Sequence, residues 1–140
     1  DKPACLYKTA AVNDGPLHKI TGRMNSMMAG LCCGEPCTIS WDIINNFANA
    51  FIACSDDYAA SGMRLLGMPQ NGDARIVSGE SGAVTAGVLA ALMQDPELAQ
   101  LRNELGLDEN SRVLLISTEG ATDKVNYLKV LSGKWKPENK

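Results

Sequence analysis

The sequence has little of several features that define common protein classes. Only one of its 140 residues is histidine, and the formal net charge is −3. Such a small charge gives no case for nucleic acid or a polyanionic surface as a partner. No apolar run approaches the roughly 20 residues that cross a bilayer, and no signal peptide is visible. We therefore expect neither nucleic acid nor a membrane as a partner.

The motifs of nucleotide-binding proteins and of serine hydrolases are also absent. The chain contains neither G-x-x-x-x-G-K-[ST] nor G-x-G-x-x-G, so a nucleotide phosphate loop is not supported. The string GESGA at residues 79–83 is one residue short of the nucleophile elbow G-x-S-x-G. The single histidine, His18, lies upstream of it, whereas a hydrolase of that fold places its histidine last. Serine-hydrolase chemistry within this chain is therefore disfavoured.

The five cysteines all fall before residue 55, and their spacing matches no common zinc pattern. We therefore predict no metal site. The chain is too long and too apolar to need a disulfide scaffold, so mostly free thiols in a reducing cytoplasm are the expectation.

Short apolar runs alternate with helical patterns along the chain, which is typical of an α/β fold with a mostly parallel, three-layer sheet. Only two good strands and one stub are present, fewer than the five or six of an average sheet. The missing strands lead us to expect that the chain is a fragment of a longer protein. The predicted strands are 50–54, 76–77 and 113–116; the predicted helices are 4–12, 38–47, 58–66, 83–93, 96–105 and 124–131, with a helical turn at 24–29. The expected N-caps are Thr38 or Ser40 for the second helix, Asp56 or Asp57 for the third and Asp95 for the fifth, and Gly67 is expected to end the third.

Residues 113–123, VLLISTEGATD, contain the most informative of these strands. Residues 113–116 form a continuous apolar run, which predicts a strand buried on both faces. Ligands of open α/β sheets bind just past the carboxyl ends of the strands, which is where Ser117, Thr118 and Glu119 fall. The alternative is an ordinary turn in which Thr122 or Asp123 caps the following helix. Similarly, Glu80 is either a first-turn carboxylate of a helix or a ligand contact.

Three segments together resemble a known family. The strings MNSMMAGLCCGEPCTISWDII (24–44), DDYAASGMRLLG (56–67), and SGESGA (78–83) with LGLDENSRVLLISTEGATD (105–123) are similar to the C-terminal part of the diaminopropionate ammonia-lyases. This family belongs to the fold-type II pyridoxal-phosphate enzymes, with tryptophan synthase β, threonine deaminase and serine racemase. The resemblance covers nearly all of the chain, and AGLCCGEP and STEGATD are its most specific strings. It implies that residues 1–140 are a C-terminal fragment of the large, cofactor-binding domain of a longer enzyme.

The resemblance implies a cofactor site for pyridoxal 5'-phosphate. In such enzymes a Ser or Thr at the end of a late strand bonds the pyridine nitrogen of the cofactor, and Thr118 falls on that position, with Ser117 as the register-shifted alternative. Glu80, after Gly79, falls on the glutamate that faces the cofactor ring. Glu119 and Ala121 depart from the dehydratase pattern. The Schiff-base lysine would lie upstream, so no catalytic residue is assigned to this chain.

The implied reaction is α,β-elimination from 2,3-diaminopropionate, which yields pyruvate and ammonia. The resemblance also implies an amino-acid substrate, the N-terminal portion of the same enzyme and a second copy in a homodimer as partners. Cys5 and Cys33 occupy positions where the family leads us to expect cysteine. They are expected either close together or as two free buried thiols. The alternatives are a dehydratase acting on serine or threonine, and a non-catalytic α/β binding domain.

Overall fold

The computed structural model describes residues 4–70 and 72–137. They form two compact units, and the boundary along the chain falls between residues 54 and 55. Six α-helices lie in the described part: α1 (Cys5–Val12), α2 (Thr38–Phe47), α3 (Asp56–Gly67), α4 (Glu80–Gln94), α5 (Ala99–Glu104) and α6 (Lys124–Leu131). Two 3₁₀ turns accompany them, Ala29–Leu31 and Pro96–Leu98. The described helices include none long and apolar enough to span a bilayer.

The predicted mostly parallel sheet is not present among residues 4–70 and 72–137, because none of them is in a strand. Residues 50–54, 76–77 and 113–116 are neither helical nor paired in a β-ladder. The expectation that 113–116 is buried on both faces is also wrong for this chain, since Leu114 is 86% exposed and Ile116 is 68% exposed. A strand needs hydrogen-bonding partners on a neighbouring strand, and the described residues do not supply them.

The first unit is organised around α1 and α2. The Thr9 hydroxyl donates to the Cys5 carbonyl at 2.8 Å and accepts the His18 amide at 3.0 Å, which ties the segment after α1 back to the helix. Helix α1 ends at Asn13, whose left-handed φ of 49° suits Asn. The helical turn expected at 24–29 is instead the 3₁₀ turn that begins at Ala29.

The five cysteines lie in this first unit, and none of them forms a disulfide within the described residues. Burial raises the pKa of the Cys5 thiol, and the charge of neighbouring Cys33 raises that pKa further. Cys33 is exposed, so the expectation of two buried thiols holds only for Cys5. Cys37 is the residue before α2. The pKa of its thiol is lowered, chiefly by a hydrogen bond with the Ser40 hydroxyl and to a smaller extent by hydrogen bonds with backbone N–H groups of the helix start.

The second unit is built on the contact between α3 and α4. A Cβ atom on Gly62 would collide with the Ala83 carbonyl oxygen, and one on Gly87 would collide with the Tyr58 carbonyl oxygen. The two glycines therefore let the helix backbones approach closely. Small and medium side chains fill the surrounding core, and α6 packs on α3; the buried residues include Ala59, Ala60, Met63, Ala83, Val84, Ala86, Leu92, Tyr127 and Val130.

Helix caps follow the predicted pattern in two of the four cases. The Asp123 carboxylate accepts the Asn126 amide at the start of α6, and the Asp95 carboxylate accepts the Glu97 amide. Both predicted caps are confirmed. The cap of α2 was expected at Thr38 or Ser40, but its N-cap residue is Cys37. The cap of α3 was expected at Asp56 or Asp57, but Ser55 is the N-cap residue and both aspartates lie in the first turn, where the helix dipole favours negative charge.

Candidate functional site

The loop 117–120 lies against the first turn of α4, so the two strings that carry most of the predicted site residues meet in space. The hydroxyl oxygens of Ser78 and Ser117 are 2.7 Å apart, although 39 positions separate the two residues. The amide of Gly79 donates to the carbonyl of Glu119 at 3.1 Å. We call this contact between residues 78–82 and 117–120 the junction.

A carboxylate from the loop caps α4 at the junction. The Glu119 Oε1 atom accepts the Ser81 amide at 2.6 Å. The N-cap residue itself, Gly79, has no side chain that could satisfy the free amides of the first turn. A negative charge at a helix N-terminus also interacts favourably with the helix dipole. Most helices are capped by a residue next to them in sequence. Helix α4 is instead capped by Glu119, which lies 38 positions from Ser81.

The junction is close because two of its residues lack a Cβ atom. A Cβ on Gly79 would collide with the Gly120 carbonyl oxygen and lie 3.0 Å from the Glu119 Cγ. A Cβ on Gly82 would lie 2.7 Å from the Ser78 Oγ and 3.0 Å from the Ser117 Oγ. Gly79 has an ordinary φ of −77°, so the requirement there is for space and not for a special backbone conformation.

Glu80 points away from this contact, toward α6. Its side chain is 6% exposed, and its Oε1 atom accepts the Asn126 Nδ2 at 2.6 Å. Burying a carboxylate is costly unless hydrogen bonds satisfy it, and this bond satisfies one of its oxygens. Asn126 lies in the first turn of α6, where its backbone N–H donates to the Asp123 carboxylate. Glu80 therefore has a defined, buried position between two helices.

The two candidate hydroxyls, those of Ser117 and Thr118, differ in whether they already have a hydrogen-bond partner. Ser117 Oγ is bonded to Ser78 and lies 3.3 Å from the Glu119 carbonyl oxygen. Thr118 is exposed, and no hydrogen-bond partner of its hydroxyl is found within residues 4–70 and 72–137. Of the two residues, Thr118 is thus the one whose hydroxyl is available to a ligand.

The structure brings Gly79, Ser117 and Thr118 together, while Glu80 projects from the same helix end toward α6. The Gly79 amide is used by Glu119, so its contribution is space rather than a free donor. Sequence reasoning did not single out Asn126 or Ser78, because no local pattern links positions 46 or 39 residues apart. Glu119 was noted at the end of a predicted strand and as a departure from a related pattern, but not as the cap of a helix.

Comparison with known proteins identifies relatives of one class. No protein-family model matches the chain. The curated relatives and solved structures that match it include ammonia-lyases, and one of these solved structures is a complex with an aminoacrylate-PLP azomethine reaction intermediate.

The relatives compared in detail are diaminopropionate ammonia-lyases. The chain is 47% identical over 131 residues to the enzyme of Escherichia coli strain K12, and 49% identical over 124 residues to that of Salmonella typhimurium strain LT2. These matches cover 94% and 88% of this chain, but only 32% and 31% of the relatives. The chain thus spans about a third of the length of the curated relatives it matches, and the resemblance predicted from its motifs is confirmed.

The structural comparison agrees. The crystal structure of the E. coli enzyme in complex with D-serine matches with a TM-score of 0.83 at 43% identity, over 96% of this chain and 33% of that one. The aminoacrylate-PLP complex matches with a TM-score of 0.82 at 44% identity, over 96% of this chain and 34% of that one. At these identities the described part of the chain shares the fold of the corresponding part of the enzyme.

Proposed function

We propose that this chain forms one wall of the cofactor site of a longer, pyridoxal-phosphate-dependent lyase. The proposed reaction is the α,β-elimination of 2,3-diaminopropionate to pyruvate and ammonia. The observation that carries the proposal is the junction, which holds Thr118 at the surface with an uncommitted hydroxyl. The close similarity to diaminopropionate ammonia-lyase supports the choice of reaction.

The residues at the junction fit the cofactor. An exposed threonine hydroxyl can donate to the pyridine nitrogen, while Ser117 is already bonded to Ser78. Glu80 is buried and Asn126 holds it toward α6, so its position facing the cofactor ring stays a prediction of the resemblance. When bound, pyridoxal phosphate supplies the electron sink for the carbanion at the substrate Cα.

Thr118 would tune this chemistry through its lack of charge. A hydroxyl group does not hold a proton on the pyridine nitrogen as a carboxylate would. By leaving the pyridine nitrogen unprotonated, Thr118 would weaken electron withdrawal from the substrate, which would favour prompt loss of the β-amino group over reprotonation or transamination. This gives a physical reason for threonine at position 118 rather than aspartate.

The proposal includes the parts of the enzyme that the described residues lack. Residues 113–116 would pair with strands of the remaining enzyme to form the parallel sheet, which would cover their exposed apolar side chains. The Schiff-base lysine would come from that remainder as well. A homodimer and a cytoplasmic location are further predictions of the proposal.

Substitutions at Thr118 in the full-length protein test the proposal. Thr118→Val keeps the volume and the β-branching but removes the hydroxyl, and we expect it to weaken cofactor binding about tenfold, the effect of losing one buried hydrogen bond. Thr118→Asp should lower the ratio of pyruvate to transamination product. Thr122→Val, at an exposed threonine four residues away, is the matched control and should behave like the parent.

Two results would contradict this assignment. If Thr118→Asp folds, binds cofactor and gives the parental product ratio, Thr118 does not contact the pyridine nitrogen and Ser117 becomes the candidate. If the parent protein binds no pyridoxal phosphate, as measured by its absorbance, the proposed function itself is wrong.

Elimination from serine is the second candidate reaction, because the E. coli relative has been solved in complex with D-serine. Initial rates of pyruvate formation from diaminopropionate and from the two serine enantiomers separate the candidates. We expect diaminopropionate to be the best of the three substrates.

A further inference from the structure

Glu119 is attached to the first turn of α4 at two points. Its side-chain Oε1 accepts the Ser81 amide at 2.6 Å, and its main-chain oxygen accepts the Gly79 amide at 3.1 Å. One residue of the loop thus accepts hydrogen bonds from two backbone amides at the start of the helix, those of Gly79 and Ser81. Thr118 immediately precedes Glu119, so the hydrogen bonds of Glu119 also restrain the backbone of Thr118.

The helix provides a surface shaped for this residue. The absence of a Cβ at Gly79 leaves room for the Glu119 side chain, whose Cγ and Cδ would otherwise lie 3.0 and 3.1 Å from that atom. The absence of a Cβ at Gly82 leaves room for the Thr118 amide nitrogen, which would lie 3.1 Å away. Both neighbouring loop residues are therefore seated directly on the helix backbone.

We propose that Glu119 is a positioning residue, whose carboxylate caps α4 from the loop and so holds the Thr118 hydroxyl in place for the pyridine nitrogen. This inference rests on the proposed function and deepens it. A charge-assisted hydrogen bond is about twice as strong as a neutral one. The partial positive charge of the helix start strengthens the attachment further. Without the carboxylate the loop would keep the Gly79 bond and the Ser78–Ser117 contact, so Thr118 would stay near the helix but would be held by one attachment fewer.

The first test uses amide hydrogen exchange in the cofactor-free, full-length protein. Glu119→Ala should speed exchange of the Ser81 and Gly79 amides about tenfold, because Ser81 loses its acceptor and the loop opens more often. Glu119→Gln keeps an oxygen that accepts the Ser81 amide, so its exchange should be intermediate. Glu109→Ala removes an exposed glutamate from the same unit and should leave these amides unchanged.

The second test measures binding of pyridoxal phosphate by absorbance titration. We expect about tenfold weaker binding in Glu119→Ala and about threefold in Glu119→Gln, with a matching shift in the absorbance band of the bound cofactor. Glu109→Ala should bind like the parent. If Glu119→Ala fails to fold, the comparison of Glu119→Gln with Glu109→Ala decides the question.

The outcomes separate the inference from the proposed function. Unchanged exchange at Ser81 and Gly79 in the Glu119 variants overturns the inference. A lower thermal midpoint with parental cofactor affinity and spectrum also overturns it, because Glu119 would then be a structural cap only. Absence of cofactor binding by the parent overturns the proposed function, while the exchange data still report whether Glu119 holds the loop.

Discussion

Two neighbouring stretches of four residues, 113–116 and 117–120, differ in how this chain treats them. The first is entirely aliphatic yet largely exposed, with Leu114 at 86%. The second is polar yet is held by hydrogen bonds to Ser78, Gly79 and Ser81. The polar stretch finds its partners within the second unit, whereas the aliphatic stretch finds none among residues 4–70 and 72–137 that bury it. We take the difference as an indication, in line with the proposed function, that neighbours beyond the described residues would cover the aliphatic stretch.

The largest expected effect tests that indication directly. In the full-length protein, Leu114→Asp should lower the free energy of unfolding by about 3–5 kcal/mol, because it places a charge where we expect a sheet interior. Leu128→Asp, on an α6 position that is 62% exposed, is the matched control and should cost less than about 1 kcal/mol. Urea unfolding of both variants gives the comparison. Equal tolerance of the two substitutions would mean that residues 113–116 remain exposed in the full-length protein.

A steric substitution tests the other side of the comparison. Gly79→Ala should cost about 1–3 kcal/mol, since its Cβ would press on Glu119 and Gly120 at the junction. Gly120→Ala is the matched control, because a Cβ there meets nothing within 4 Å. Thermal and urea unfolding measure both. The close seating of the loop on α4 is disproved if Gly79→Ala is as stable as Gly120→Ala.

The partly buried hydrogen bond between Glu80 and Asn126 gives a somewhat smaller effect. Asn126→Asp would set a second carboxylate against Glu80 in place of a donor, and we expect a loss of about 1–2 kcal/mol at neutral pH. Asn103→Asp, at an exposed position of α5, serves as the control. The loss should be measured by urea unfolding. An unchanged stability would show that Asn126 does not hold Glu80.

The smallest expected effect concerns Tyr127. Its hydroxyl is buried and has no hydrogen-bond partner within residues 4–70 and 72–137. Tyr127→Phe removes an unsatisfied polar group, so the free energy of unfolding should change by less than about 0.5 kcal/mol. Differential scanning calorimetry of the full-length protein is sensitive enough to measure the change. A loss above about 1 kcal/mol would reveal a partner outside the described residues, as inferred for residues 113–116.

The helices were predictable because their signals are local. Asp123 and Asp95 cap the segments that follow them, and Gly67 ends α3 where the sequence analysis expected it. The strands were a different matter. A run such as 113–116 has the composition of a buried strand, but whether it forms one depends on a neighbour that supplies hydrogen bonds. Among the described residues that neighbour is missing, so the predicted sheet is not observed.

The candidate site was predictable only as separate strings. The motifs directed attention to Thr118, Ser117, Glu80 and Gly79, and the similarity to diaminopropionate ammonia-lyase confirms the resemblance on which they rest. Their roles in a cofactor site remain predictions. Choosing between Ser117 and Thr118 required knowing which hydroxyl already had a partner, and that partner, Ser78, lies 39 positions away.

The sequence by itself determined the positions of most helices, the family that the chain resembles and the short list of candidate residues, because caps, periodicity and motifs act over a few neighbouring positions. Only the tertiary structure decided that Glu119 caps a helix distant in sequence, that Asn126 holds Glu80, and that Thr118 is the hydroxyl left free. These facts depend on which atoms lie within hydrogen-bond reach after the helices pack. Packing here turns on the missing Cβ atoms of Gly62, Gly79, Gly82 and Gly87, whose effect exists only once the opposing backbone is in place.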